Sequence, residues 1–327
     1  MSINNLSFNS LTTTLTCCTD QGYIVYSLQP QLEKKMYVEL NGGVGMAKNY
    51  NNTNMIVLVG GGTKPFKQKE VFVLYDQKEA SSIIEIDMKE PIKNILINKD
   101  NIVVVLEKKI LVFNWRGTVI DTKLTFSNPN GLCVMNSALN VIVTLGTKKG
   151  EIAIWDYLSD NYKTIEAHLT NIEAIAISND GLSVATSSEV GTIIRVYDTK
   201  SKILKSEFRR GTSSSTIYNL EFNNTSNVLA CCSSHGTVHF FDLSSDEQTR
   251  KNTKSFLAGY GSYISSYFDS EWGFKQVSIG NLNKSIASFD ENNDFHIVTY
   301  DGSYYKIGCN KNEWSLVTQG NLHINNK

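Results

Sequence analysis

Runs of β-branched and aromatic residues recur along the chain, and each ends in a small polar or acidic residue. They are Ile24-Val25-Tyr26-Ser27, Val71-Phe72-Val73-Leu74-Tyr75-Asp76, Ile110-Leu111-Val112-Phe113-Asn114, Ile152-Ala153-Ile154-Trp155-Asp156, Ile193-Ile194-Arg195-Val196-Tyr197-Asp198 and Val238-His239-Phe240-Phe241-Asp242. Their ends fall at 27, 76, 114, 156, 198 and 242, a period of roughly 40 to 45 residues. Ser303-Tyr304-Tyr305-Lys306-Ile307 supplies a seventh unit after an interval about 20 residues too long, so an insertion is expected before it. Most units add an upstream strand and a turn. In one, Ile172 to Ile177, Asn179-Asp180-Gly181, Ser183 to Thr186 and Gly191-Thr192 follow one another, turn residues between β-branched runs. The pattern predicts an all-β chain: a seven-bladed β-propeller with four-stranded blades, one circular domain over residues 1–327. Closure is expected to pair N-terminal and C-terminal strands in one blade.

Composition narrows the function. The chain has 327 residues and only four prolines, at 30, 65, 91 and 129, so no proline-rich linker divides it. A net charge of -1 gives no global attraction to nucleic acid or to anionic lipid, and any anion site must be local. The six cysteines, Cys17-Cys18, Cys231-Cys232, Cys133 and Cys309, form no Cys-x-x-Cys zinc pattern and read as buried strand residues with reduced thiols. Apolar stretches such as Ile102 to Leu106 are too short to span a bilayer, and Ser2 is not the glycine that myristoylation requires. Gly60-Gly61-Gly62-Thr63 lacks the Lys-Ser/Thr ending of a phosphate-binding loop and reads as a strand-to-turn cluster. Asp290, Glu291 and Asp294 read as a solvated loop. With no local Ser/His/Asp context, neither catalysis nor a cofactor nor a metal is expected.

Phe208-Arg209-Arg210-Gly211 carries the candidate chemistry. Successive side chains on a strand point to opposite faces, so each arginine is expected to line its own pocket. Guanidinium groups make planar, bidentate contacts to phosphate, and neighbouring Ser, Thr and His side chains add donors. Two separate phosphorylated lipid headgroups fit that arrangement. Taken alone, the dipeptide also reads as an ordinary pair of strand arginines.

The wider motif decides between them. Ala167-His168, the run from Ala185 to Tyr197, Glu207-Phe208-Arg209-Arg210-Gly211 and Gly236-Thr237-Val238-His239-Phe240-Phe241 follow one another in order. Together they resemble the PROPPIN family, the phosphoinositide-binding propellers of autophagy. Gly42-Gly43-Val44-Gly45, Val57-Leu58-Val59-Gly60-Gly61-Gly62 and Val103-Val104-Val105-Leu106-Glu107 match that family's earlier blades. The resemblance implies two rim sites for phosphatidylinositol 3-phosphate and phosphatidylinositol 3,5-bisphosphate. It puts His168, Thr186, Ser188, Thr192, Arg195 and Arg209 around the first site, and Arg210, Ser233, Thr237 and His239 in the second. The alternatives are turn chemistry for Thr186, Ser188 and Thr192, a solvated strand position for Arg195, and blade-stabilising roles for His168 and His235. Thr212-Ser213-Ser214-Ser215 departs from the charged residues that relatives commonly carry there. His239 among the donors leads to an expectation that binding strengthens as pH falls toward about 6.

The insertion, residues 244–270 within the sixth blade, suggests a membrane-inserting loop. Phe256, Leu257, Tyr260, Tyr263, Ile264, Tyr267 and Phe268 recur at spacings of three and four, as one apolar helix face would, with Arg250, Lys251 and Lys254 upstream. Gly259 and Gly261 each weaken such a helix by about 1 kcal/mol, and aromatics packed on the adjacent blade are the alternative. Glu271-Trp272-Gly273-Phe274 is expected to resume the blade. The resemblance further implies a cytoplasmic protein, peripheral on endosomal, vacuolar or autophagosomal precursor membranes, whose partner is a lipid-transfer or conjugation-machinery protein of autophagy. Thr63-Lys64-Pro65-Phe66-Lys67-Gln68-Lys69 is a candidate docking loop. A WD40-type interaction scaffold without lipid binding is the rival reading.

Overall fold

The computed structural model describes residues 2–51, 53–136, 138–244, 252–254, 271–280, 282–310 and 313–324. Seven sheets form the seven blades of a propeller, each built on four antiparallel strands in chain order, and the sheet of blade 5 is extended by two further short strands. Blade 1 holds Ile3–Phe8, Thr14–Thr19, Gly22–Ser27 and Glu33–Glu39. Blades 2, 3 and 4 span 44–87, 94–124 and 133–166. Blade 5 holds Ile172–Ile177, Ser183–Ser188, Ile193–Asp198 and Leu204–Arg209; blade 6 holds Ile217–Phe222, Val228–Ser233, Thr237–Asp242 and Lys275–Ser278. Blade 7 ends the ring with Ser285–Phe289, Phe295–Thr299, Ser303–Asn310 and Glu313–Asn321. Every run picked out by its polar ending lies in the third strand of a blade.

The polar ending has a structural cause. Asp76, Asn114, Asp156, Asp198 and Asp242 each use Oδ1 to accept the backbone N–H two residues on, which closes the turn toward the outer strand. The middle strands are buried on both faces and pack blade against blade. Between blades 5 and 6, for example, Ile194, Val196 and Phe208 meet Leu220, Leu229, Cys231 and Phe241. Glycines serve close approach: a Cβ on Gly60 would lie 1.6 Å from the Lys67 carbonyl oxygen, and one on Gly61 2.3 Å from the Gly45 Cα. The Gly60–Gly62 cluster is therefore a packing device. Five of the cysteines are buried and unbridged; Cys309 is exposed, unlike the expectation for all six.

Ring closure differs from the expectation. Among the described residues Ile3–Phe8 pairs only with Thr14–Thr19, and Glu313–Asn321 only with Ser303–Asn310, so no blade there mixes the two ends of the chain. Blade 1 and blade 7 each take four consecutive strands from one end of the chain, which leaves each terminal blade complete. The ring closes instead through side chains: Leu6, Leu15, Ile24 and Tyr26 of blade 1 pack with Val298, Tyr304 and Leu322. Tyr26 also donates to the His323 carbonyl at 3.1 Å.

Two other readings are corrected. Asp290 is not solvated but almost fully buried, with its carboxylate on His296 Nε2 at 3.2 Å, while Asp294 pairs with Lys306 at 2.6 Å. Glu271–Trp272 does not resume blade 6. It runs parallel to Leu204–Arg209, the outer strand of blade 5, and pairs on its other side with Thr253–Lys254. The outer strand of blade 6 begins only at Lys275, where it pairs with Phe240. Asn252 anchors the base of the insertion, exchanging hydrogen bonds of 2.8 and 2.7 Å with the backbone of Asp242. Phe256, Leu257, Tyr260, Tyr263, Ile264, Tyr267 and Phe268 lie outside the described residues.

Candidate headgroup-binding sites

Strand alternation sends Arg209 and Arg210 to opposite sides of blade 5. Phe208 is fully buried in the interface with blade 6, its ring stacked on Phe241 at a centroid distance of 4.8 Å, and this fixes the register of the residues that follow. Arg209 therefore shares the opposite face, toward blade 4, with its cross-strand partner Ile193. Arg210, one residue beyond the strand, returns to the blade 6 side. Both are about 95% buried, at 5% and 4% exposure, which is unusual for arginine and requires polar partners.

The crevice between blades 4 and 5 collects the first set of residues. Thr186, Arg195 and Glu207 lie side by side on adjacent strands. His168, from the linker between the blades, brings Nε2 within 3.0 Å of Thr186 Oγ1. Arg195 is not a solvated strand residue: its Nε donates to Glu207 at 2.9 Å and its Nη1 to the Ala167 carbonyl at 2.7 Å. Ser188 is buried near the end of the same row, and Thr192, in the following turn, accepts the Arg210 N–H at 2.9 Å. That turn needs glycine. Gly191 has a φ of +67°, and a Cβ there would lie 1.8 Å from the Ser215 carbonyl oxygen.

The crevice between blades 5 and 6 collects the second set. Arg210 donates to the Gly191 carbonyl at 3.0 Å, to His235 Nδ1 at 2.9 Å and to the Ser213 carbonyl. A guanidinium accepts nothing, so His235 Nδ1 must be the acceptor and its other nitrogen must carry the proton. Ser233 and His239 are buried in this crevice, and among the described residues Ser233 Oγ and His239 Nδ1 have no hydrogen-bond partner. Buried orphan groups are costly, and a ligand oxygen is one way to satisfy them. Thr237 starts the strand that carries His239.

Titration departs from the sequence expectation. Burial, then the neighbouring Arg210 and His235, pull the His239 imidazole down to about 4. Burial and then Arg195 do the same to His168, also to about 4, against the opposing pull of Thr186 and Glu207. Neither ring charges between pH 6 and 8, so headgroup affinity measured by calorimetry should not rise on acidification across that window. A several-fold gain on acidification from pH 8 to 6 would contradict this. The sign for stability follows. Unfolded histidine takes up its proton near 6.5 and the folded rings only near 4, so stability is full above about 6.5 and falls as pH drops toward about 4. The loss should approach about 1.4 kcal/mol per pH unit for each ring, read from denaturation midpoints.

The family model described as PROPPIN matches residues 2–278, from the first strand of blade 1 to the outer strand of blade 6. The chain belongs to the PROPPIN family. Among its relatives, SVP1-like protein 2 of Pichia angusta is 28% identical over 336 residues, covering 97% of this chain and 93% of its own length. Autophagy-related protein 18 of Yarrowia lipolytica is 26% identical, covering 93% of this chain and 92% of its own. Solved propellers share the fold. Kluyveromyces lactis Hsv2 with its complete loop 6CD superposes with a TM-score of 0.79 at 21% identity, over 98% of this PROPPIN and 99% of that chain. KlAtg21, solved in complex with the coiled-coil of AgAtg16, does so with a TM-score of 0.75 at 23% identity, over 98% and 99%.

Two residues that shape these crevices carry no obvious sequence signal. Glu207 stands inside the arginine motif but looks like any strand carboxylate until its pairing with Arg195 is seen. His235 gains a role only through the turn that brings it to Arg210. Among the described residues no helix is long and apolar enough to cross a membrane, and no group of three or more His, Cys, Asp or Glu is placed to hold a metal ion.

Proposed function

We propose that this PROPPIN is a phosphoinositide effector that binds phosphatidylinositol 3-phosphate and phosphatidylinositol 3,5-bisphosphate through two rim sites and recruits autophagy machinery to membranes. The observation that supports this best is the back-to-back placement of Arg209 and Arg210 in two crevices, with Ser233 Oγ and His239 Nδ1 left without partners beside the second. The protein works by binding and not by catalysis. A phosphate in the blade 5–6 crevice would take a charge-assisted bond from Arg210 and neutral ones from Ser233, Thr237 and the imidazole. In the blade 4–5 crevice Arg209, Arg195, Thr186, Ser188, Thr192 and His168 supply the corresponding groups.

Neither site needs to be strong. A second headgroup captured on the same bilayer is an intramolecular event, and avidity then rises on the order of a hundredfold or more. Co-sedimentation with vesicles containing either lipid, against vesicles of unphosphorylated phosphatidylinositol, tests the reading. Equal recovery with all three would leave only a protein scaffold.

The insertion supplies a third contact in this scheme. Its base pairs with the strand that carries Arg209, so a loop emerging there would meet the bilayer beside the first headgroup. Replacing Tyr263, Ile264, Tyr267 and Phe268 with Ser should lower vesicle recruitment roughly tenfold while sparing a soluble short-chain phosphoinositide. A parallel fall in both assays, with native melting, would make the loop part of the lipid pocket.

Recruitment requires a protein partner, and the reading favours a lipid-transfer or conjugation-machinery protein. The loop at residues 63–69 offers exposed Lys64 beside two committed neighbours: Phe66 packs on the blade 1–2 cluster, and Lys67 pairs with Glu85 at 2.9 Å. Lys64 and Lys69 are thus the exposed cations of the loop that a partner could engage.

A further inference from the structure

The two crevices are built on the same rungs of neighbouring blades, yet one rung holds an ion pair and the other is neutral. In blade 5 the rung reads Thr186, Arg195, Glu207; in blade 6 it reads Cys231, His239, Gln276. Gln276, exposed and neutral, occupies the position that Glu207 holds in blade 5. Glu207 accepts from Arg195 Nε at 2.9 Å, with both side chains largely shielded at 24% and 29% exposure. Strand alternation also puts Glu207 on the same face as Arg209, two residues along. The blade 4–5 crevice therefore carries its own carboxylate against its arginines. In the other crevice Arg210 bonds, among the described residues, two carbonyls and His235, all neutral acceptors.

We propose that Glu207 is a built-in competitor for phosphate at the blade 4–5 crevice, so that the two sites are unequal and the blade 5–6 crevice fills first. This rests on the phosphoinositide reading given above. A phosphate entering the first crevice meets a guanidinium already paired and a like charge nearby, and must displace or tolerate Glu207. A phosphate entering the second meets Arg210 and the orphaned Ser233 Oγ and His239 Nδ1. The consequence is a threshold: at low headgroup concentration the blade 5–6 crevice fills alone, and the blade 4–5 crevice fills at higher concentration or, on a membrane, where dense headgroups let avidity offset the competitor.

The test isolates each crevice and moves the charge. With dibutanoyl phosphatidylinositol 3-phosphate as probe in calorimetry, Arg210→Thr leaves the blade 4–5 site and Arg209→Thr leaves the blade 5–6 site. Adding Glu207→Gln to Arg210→Thr should tighten binding about tenfold, and adding it to Arg209→Thr should change nothing. The reciprocal Gln276→Glu, at an exposed position that tolerates it, should weaken the Arg209→Thr protein several-fold. Unchanged or weaker binding on adding Glu207→Gln to Arg210→Thr, with native melting, would show that Glu207 positions Arg195 and does not compete. No effect of Gln276→Glu would likewise overturn the proposal. If the unmodified protein fails to bind the probe, the phosphoinositide reading falls, and this inference with it.

Discussion

Changing both Arg209 and Arg210 to Thr should reduce recovery on phosphoinositide vesicles to background, while either change alone should leave a partial response. The two guanidinium groups lie on opposite sides of one strand end, in different crevices, so neither can replace the other. Losing one site removes the avidity of the pair, a drop of about ten- to a hundredfold in apparent vesicle affinity. It should also lower the calorimetric stoichiometry for a soluble short-chain lipid from two to one. Losing both leaves, of the proposed guanidinium contacts, Arg195, which is already paired with Glu207. Threonine suits the strand, but Arg210 also bonds two carbonyls and His235, so the comparison holds only for variants whose melting is close to native. Equal and complete loss from each single change, in folded protein, would mean one shared site and would refute the two-crevice reading.

The parts of this fold that were legible in the sequence are those written in short range. Third strands such as Glu151–Asp156 combine a buried apolar run with an Asp that closes the next turn, so both the strand and its end show. Outer strands do not show. Glu33–Glu39 and Val119–Leu124 lie at the rim, exposed at many positions, and without a buried face they carry no clean alternation. The base of the insertion was hidden for another reason. Thr253–Lys254 and Glu271–Trp272 are two residues each, and their pairing with blade 5 is a contact between distant segments.

For the sites, residue types were readable and environments were not. The alternation of Arg209 and Arg210 follows from strand geometry alone, and the crevices that receive them follow from blade order. The titration of His239 does not. Its imidazole is visible in the sequence, but the burial and the neighbouring Arg210 that pull it down to about 4 are products of the ring. Glu207 lies within the arginine motif with no legible role, because an ion pair with Arg195 across strands has no sequence spacing of its own.

Asp290 illustrates the same limit and carries the largest expected effect on stability. Three acids within five residues suggest a solvated turn, yet Asp290 and His296 are both buried, at 1% and 0% exposure. Asp290 Oδ1 accepts the N–H groups of Asn292 and Asp294 at 3.0 and 2.9 Å, and Oδ2 takes His296 Nε2 at 3.2 Å. Burial, outweighing the carboxylate, holds the His296 imidazole below its ordinary range, so at neutral pH it is uncharged. Its Nε2–H then donates to Asp290 and its Nδ1 accepts from the Tyr304 hydroxyl at 2.9 Å. Asp290→Ala leaves three donors without their acceptor, the buried His296 Nε2–H in the core of blade 7 and the part-buried N–H groups of Asn292 and Asp294 in the turn, at a cost of about 3 to 5 kcal/mol. The apparent melting temperature should fall by roughly 5 to 10 °C. Asp290→Asn, which can still serve the turn, should lose about half as much, and exposed Glu291→Ala should lose nothing. Because blade 7 borders neither crevice, the Ala variant kept well below its melting point should bind soluble headgroup as the unmodified protein does. Native-like melting of Asp290→Ala would return the acid cluster to solvent. Lost headgroup binding in folded protein would show that blade 7 supports the crevices through the ring.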